Sequence, residues 1–201
     1  MRRPLEYEKK IWRQGKAVAG ADEVGRGALA GPIVAAVVLF KPLILKSKAQ
    51  WIKKIKDSKK LSPKMREHLY KKITRACVWA TASVSNNEID KHGIQPANIL
   101  VINKAVEKLK RHLDYLLVDY VASFKSSYQH KCIAKGDQKV FSIACASIVA
   151  KVYRDSSMVK LHKKYPRYNF FQNKGYGSLE HRRAIRKFGI SLLHRKSFNV
   201  L

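Results

Sequence analysis

The chain has 201 residues, one domain's length and enough to bury an ordinary hydrophobic core without covalent staples. Lys and Arg number 42 against 14 Asp and Glu, a formal charge of +28, and self-repulsion of that size points to a polyanionic partner. Three scattered cysteines exclude a disulfide framework or a Cys-rich zinc cage, and no run of 18 uncharged apolar residues exists to span a bilayer.

The opening segment MRRPLEYEKK has basic residues but no apolar stretch of signal-peptide length, so a soluble protein of the reducing cytoplasm is expected. Residues 17–21 and 33–40 are small or β-branched, bounded by Gly and Pro, and are predicted strands. Asp22-Glu23, then Gly25-Arg26-Gly27, then Pro32 lie between them. A Lys-rich helical stretch follows around 49–56, and Ser62 with Pro63 behind it predicts a capped helix over 63–75. Residues 77–84 alternate as a third strand. Apolar positions from Ile94 through Ala97, Val101, Ala105 and Leu109 predict an amphipathic helix over 94–112.

Residues 113–118 form a predicted buried strand ending at Asp119, and 131–134 a short fifth. A helical pattern over 137–164 contains a small-residue run, Ala144 to Ala150, suited to close packing, and a last helix is predicted over 178–188. Cys77, Cys132 and Cys145, each in an apolar context, are expected as buried small hydrophobes. Three early strands followed by helix–strand alternation predict an α/β sheet with helices on its faces. One domain over 1–201 is expected, its core about 15–155 and a helical C-terminal part about 156–201. Basic pairs such as Lys9-Lys10, Lys53-Lys54 and Arg182-Arg183 are spread along the whole chain. That distribution favours a nucleic-acid footprint over a membrane helix.

In so basic a chain, two adjacent carboxylates between predicted strands call for a chemical reason. Asp22 and Glu23 end one strand and Asp119 another; if those strands are neighbours, the acids meet at one sheet edge, where α/β sites lie. Two carboxylates about 4 Å apart repel by roughly 4 kcal/mol at an effective dielectric near 20, so a cluster needs protons or cations. Hard divalent ions, Mg²⁺ or Mn²⁺, suit all-oxygen donors. For a fourth acid, Asp137 at the helix start is preferred to Asp155, which lies 18 residues on and reads as an ion-pair residue. The Gly25-Arg26-Gly27 loop allows main-chain groups to approach a sugar-phosphate closely.

Those residues carry a resemblance. Asp22-Glu23-Val24-Gly25-Arg26-Gly27 through Gly31-Pro32 resembles the signature of ribonuclease HII. So do Asp57-Ser58-Lys59-Lys60-Leu61-Ser62, Leu117-Val118-Asp119, Lys135-Gly136-Asp137 and the run from Ala146 to Val152. Asn173-Lys174-Gly175-Tyr176-Gly177 and His194-Arg195-Lys196-Ser197-Phe198 extend the likeness over nearly the whole chain. It implies a ribonuclease H-like mixed five-stranded sheet flanked by helices, with a C-terminal helical part. The implied activity is cleavage of the RNA strand of RNA–DNA hybrids and nicking 5′ of single ribonucleotides in duplex DNA.

By the resemblance, Asp22, Glu23, Asp119 and Asp137 are the catalytic, metal-binding acids. Gly25, Arg26 and Gly27 read the 2′-hydroxyl at the RNA–DNA junction, Tyr176 stacks on the deoxyribose beyond it, and Ser58 and Lys59 lie near backbone phosphates. Tyr120 stands where the family usually has Gly, which puts the turn after Asp119 in question. Type HII fits better than HIII, which usually has Glu as its fourth acid. Two ions, Mg²⁺ or Mn²⁺, would flank the scissile phosphate and leave 3′-hydroxyl and 5′-phosphate ends. A monomer is expected. The competing reading is a non-enzymatic basic RNA- or DNA-binding protein, which gains nothing from acids facing phosphate.

Overall fold

The computed structural model describes residues 5–47, 50–55, 58 and 61–199; Lys59 lies outside them. Helix α1 (Glu6–Trp12) precedes strands β1 (Val18–Val24) and β2 (Ile33–Leu39). A 3₁₀ turn over Pro42–Ser47, the short α2 (Trp51–Lys54) and α3 (Pro63–Ala76) lead to β3 (Val78–Val84). Helices α4 (Asn86–His92) and α5 (Ile94–Glu107) then precede β4 (Tyr115–Asp119) and β5 (Gln129–Ile133). The chain closes with α6 (Gly136–Lys139), α7 (Phe141–Lys164), a 3₁₀ turn at Pro166–Tyr168, α8 (Phe170–Asn173) and α9 (Leu179–Phe188).

The sheet runs β3-β2-β1-β4-β5, antiparallel on the β3-β2-β1 side and parallel where β1, β4 and β5 meet. Every residue of β2 is buried, as helices cover both faces. On one face Ala19, Ala21, Ala35 and Val37 pack with Ile89, Val101 and Ala105 from α4 and α5. On the other, Ala36 and Val38 meet Ala144, Ile148 and Val149 of α7 and Leu69 and Ile73 of α3. The mixed five-stranded sheet expected from the sequence is the one observed.

Several boundaries differ for identifiable reasons. Ser62 caps α3 as expected, its hydroxyl accepting from Met65 N–H. The helix predicted over 94–112 begins at Ile94 as α5, and α4, which the sequence pattern did not predict, precedes it, started by a capping box of Ser85 and Glu88. Gly93, at φ +84°, breaks α4 from α5. The helix then stops at Glu107, and the Asp114 carboxylate, accepting from Ala17 N–H at 2.8 Å, ties the following segment to the start of β1. The stretch predicted around 49–56 is helical only over Trp51–Lys54 among the described residues.

The long pattern over 137–164 also breaks. Val140 is extended, so α6 is a single turn that aims Asp137 inward before α7 begins. Helix α1, which the sequence reading missed, supplies the cap that α7 lacks: buried Glu8 accepts from Ser142 N–H at 2.7 Å. The boundary expected near residue 155 falls within α7. Beyond it, Met158, Tyr168, Phe170 and Ile185 form a small core closed by Leu29 and Ala30. Cys145 is buried, whereas Cys77 and Cys132 are half-buried; none of the three forms a disulfide.

Candidate active site

Register puts the first three acids together. Parallel pairing of β1 with β4 matches Ala21 with Val118, so Asp22 and Asp119 lie one step further along adjacent strands. Asp119 ends β4 as expected, whereas β1 runs past Asp22 and Glu23 to Val24. Consecutive strand residues point to opposite faces, so Asp22 and Glu23 approach the edge from different sides. Asp22 lies beside Ser147 of α7, whose hydroxyl favours its ionised form. Glu23 lies toward fully buried Asn98 of α5, whose amide favours the carboxylate without reaching hydrogen-bond distance of any partner.

All four acids line one cleft of about 440 Å³. Asp119 Oδ1 is fixed by two main-chain donors, Gly136 N–H at 2.7 Å and Tyr120 N–H at 3.0 Å. The first of those donors begins α6, which brings Asp137 into the cleft. Asp155 is not there; it pairs with Lys151 one turn earlier at 2.8 Å. Tyr120 is exposed and has an ordinary negative φ, so the turn does not need the usual glycine. Gly25, Arg26, Gly27 and Tyr176 line the same cleft. Lys151 and Arg154 lie over the Tyr176 ring at 5.8 and 5.3 Å.

Ser58 also lines the cleft, but its hydroxyl is only 2.8 Å from Ser147 Oγ, and the residue is buried. Its main role in this arrangement is to pack the start of α3 against α7, helped by Arg66 donating to its carbonyl at 3.0 Å. Ser147 and Lys151 line the cleft without having been assigned a site role from sequence. Their spacing of four on a helix was the available signal, since both belong to one face.

Buried and close together, the acids disfavour one another's ionised forms. Burial, then Glu23 and Asp119, push the Asp22 carboxyl well above the ordinary range. Burial and Asp119 also raise Glu23, although Arg26 opposes the shift. Among the described residues, no three potential ligands are gathered tightly enough to hold a metal ion by themselves. The oxygen-only donor set nevertheless fits a hard divalent ion. Mg²⁺ keeps several waters and binds through one or two carboxylates plus substrate phosphate, so an open acid-lined cleft suits it better than a closed cage.

Behind the cleft runs a chain of neutral histidines. Ser191 N–H donates to His194 Nδ1 at 2.8 Å, so that nitrogen carries no proton. His194 Nε2 therefore donates to His181 Nε2 at 3.1 Å, and His181 Nδ1 donates to the Tyr176 carbonyl at 2.8 Å. A proton on either ring would set two N–H groups against each other. Burial, with His181 next to it, pulls His194 down to about 4. Unfolded His titrates near 6.5, so the unfolded chain binds more protons and stability falls as pH drops from about 6.5 toward 4. The loss is on the order of 3 kcal/mol for His194 alone. Urea unfolding at pH 7.5 and 5.0 should show about 2 kcal/mol of this loss, and it should shrink in His194→Gln; an equal loss in that variant would assign it elsewhere.

With this geometry in view, the comparisons with known proteins are specific. A sequence model of the family "Ribonuclease HII" matches residues 19–200. Ribonuclease HII of Dehalococcoides mccartyi (strain ATCC BAA-2266 / KCTC 15142 / 195) is 44% identical over 196 residues, covering 96% of this chain and 92% of that one. The Aquifex aeolicus (strain VF5) ribonuclease HII is 43% identical, covering 98% and 97%. The crystal structure of ribonuclease H2 from Pyrococcus horikoshii OT3 superposes with a TM-score of 0.74 at 26% identity, over 92% of this chain and 94% of that one.

Proposed function

The chain belongs to the ribonuclease HII family of endonucleases, and from that premise we propose that it nicks duplex DNA 5′ of single embedded ribonucleotides and cleaves the RNA strand of RNA–DNA hybrids. The observation that carries this reading is the meeting of Asp22, Glu23, Asp119 and Asp137 in one cleft beside the Gly25–Gly27 loop and Tyr176. In this proposal Asp22 and Asp119, on adjacent strands, with Glu23 and Asp137 would hold Mg²⁺ or Mn²⁺. When bound, such ions supply an activated water and charge neutralisation at the scissile phosphate, giving 3′-hydroxyl and 5′-phosphate ends.

The chain's own residues do the rest. Main-chain fixing of Asp119 Oδ1 holds this cleft-lining carboxylate in one orientation without a rotamer search. Exposed Arg26, which also donates to Gln95 at 3.1 Å, presents charge to phosphate at the rim. Gly25 to Gly27 offer main-chain groups to the 2′-hydroxyl, the one atom group that separates RNA from DNA at a sugar. Tyr176, held from behind by cations and through its carbonyl, offers a ring edge or face to the next deoxyribose. Lys59, near phosphate by the resemblance, stays part of the proposal on sequence alone.

Sequence preference should be weak, because main-chain and shape contacts carry little base information. The salt-sensitive affinity of so basic a chain is common to this reading and to a mere nucleic-acid binder. Incubation with a DNA duplex carrying one ribonucleotide separates them. With Mg²⁺ or Mn²⁺ the expected product is a single nick on the 5′ side of the ribonucleotide, and with excess EDTA none. An intact duplex in the presence of either ion would leave only the binder.

A further inference from the structure

Gly25 and Arg26 turn their carbonyls away from solvent, toward a buried arginine. Arg195 is fully buried, and its guanidinium donates to Gly25 O at 2.7 Å, to Arg26 O at 2.8 Å and to Gly31 O at 3.0 and 3.1 Å. No carboxylate among the described residues forms an ion pair with it. The neighbouring Arg154, equally buried, takes Ala30 O, Pro32 O and Lys174 O. Asp90 faces it only from beyond ion-pair distance, and a buried cation without a contacting counter-ion is expensive, so this loop is held by something costlier than packing required.

The geometry says what the guanidinium accomplishes. In a trans peptide unit C=O and N–H point in opposite directions. Drawing the carbonyls of Gly25 and Arg26 onto Arg195 therefore turns the N–H groups of Arg26 and Gly27 the other way. Neither N–H has a partner among the described residues. Gly25 can adopt this bend because its φ is +93°, and a Cβ there would lie 2.2 Å from Arg154 Nε. Gly27 has open space around its Cβ position, so nothing inside the protein requires a glycine there.

The segment that carries Arg195 is itself anchored. Arg195 N–H donates to Leu29 O at 2.9 Å, Gly31 N–H to Leu193 O at 2.9 Å, and Ala30 bridges to His194. Just beyond, Asp90 accepts from Lys196 N–H, Ser197 N–H and Ser197 Oγ, and the Phe198 ring lies 5.0 Å from the guanidinium. We propose that Arg195 is a positioning residue for specificity: it presets two adjacent main-chain N–H donors toward the cleft, so that the 2′-hydroxyl is recognised without reorganising the loop. This rests on the function proposed above. A lysine cannot do the same, having a point charge in place of a planar fork that reaches three carbonyls at once.

The test reads binding without metal. In EDTA, fluorescence anisotropy would compare a duplex carrying one ribonucleotide with the all-DNA duplex of the same sequence. The wild-type chain should prefer the first by about tenfold, as one or two hydrogen bonds allow. Arg195→Lys should keep less than about a twofold preference while its all-DNA affinity and salt slope stay unchanged. A folded Arg195→Lys that retains the full preference overturns the proposal. Should that variant not fold, Phe198→Leu, which removes the ring against the guanidinium while keeping an apolar side chain for the surrounding packing, decides: the preference must fall by about twofold or more. Absence of any preference in the wild-type chain would instead sink the underlying functional reading.

Discussion

Asp22→Asn is expected to lower the nicking rate by about 10³-fold or more while leaving the chain folded, with a melting temperature equal to or above that of the wild type. The two halves of this expectation have one cause. Asp22 is buried against Glu23 and Asp119, and its carboxyl is held well above the ordinary range. A carboxylate with a raised folded-state value costs stability whenever it is ionised, so at neutral pH the neutral amide relieves the fold. Asn keeps the oxygen that accepts from Glu23 N–H at 2.8 Å, so the local geometry survives. Lost is the negative charge that a divalent ion needs. Binding of an RNA–DNA hybrid in EDTA should be unchanged or tighter, because repulsion at the phosphate falls. Calorimetry and a single-turnover assay check both halves, and wild-type nicking by this variant would remove Asp22 from the site.

That coupling of cost and function explains how much of the site was legible from the sequence. Carboxylates are scarce in this chain, so Asp22, Glu23 and Asp119 stood out at the ends of apolar runs. Their meeting depends on strand order, and β1 beside β4 is a crossover that periodicity cannot reveal. Asp137 was harder: the helical pattern runs through Val140 on hydrophobicity alone, yet the backbone is extended there. That break decides that Asp137, and not Asp155, reaches the cleft. Tyr120 looked like a departure that disturbed the turn, but the turn's constraint is its N–H to Asp119, which any residue but proline supplies.

The parts left dark in the sequence share a feature. Arg154, Arg195, His181 and His194 are polar residues in a chain full of basic ones, and nothing in their spacing marks them as buried. Composition reads them as surface charge, whereas the arginines are satisfied mainly by main-chain carbonyls from distant segments and the histidines by each other and by nearby main-chain groups. Long-range carbonyl pairing leaves no periodic trace. α1 was missed for a related reason: it is short, and its buried Glu8 looks like a solvated acid until α7 is placed over it.

Gly20→Ala should destabilise the fold by about 3 kcal/mol or more, an effect of one methyl group. A Cβ at Gly20 would lie 2.3 Å from the Ser142 carbonyl carbon and 2.4 Å from Ile143 N. Both are main-chain atoms at the start of α7, so no rotamer change can make room. The strand and helix would have to separate by on the order of 1 Å, in a region packed to crystal-like density. The same helix carries Ser147 and Lys151 into the cleft, and the same strand carries Asp22 two residues on. Nicking by the folded fraction should therefore fall as well, since a misplacement of this size can cost about 10²-fold. Gly27→Ala is the control for stability: no atom lies within 4 Å of its Cβ position, so its urea midpoint should match the wild type. A wild-type midpoint for Gly20→Ala would mean that α7 does not rest on β1 through this residue. The placement of Asp22 against Ser147 would then need another cause.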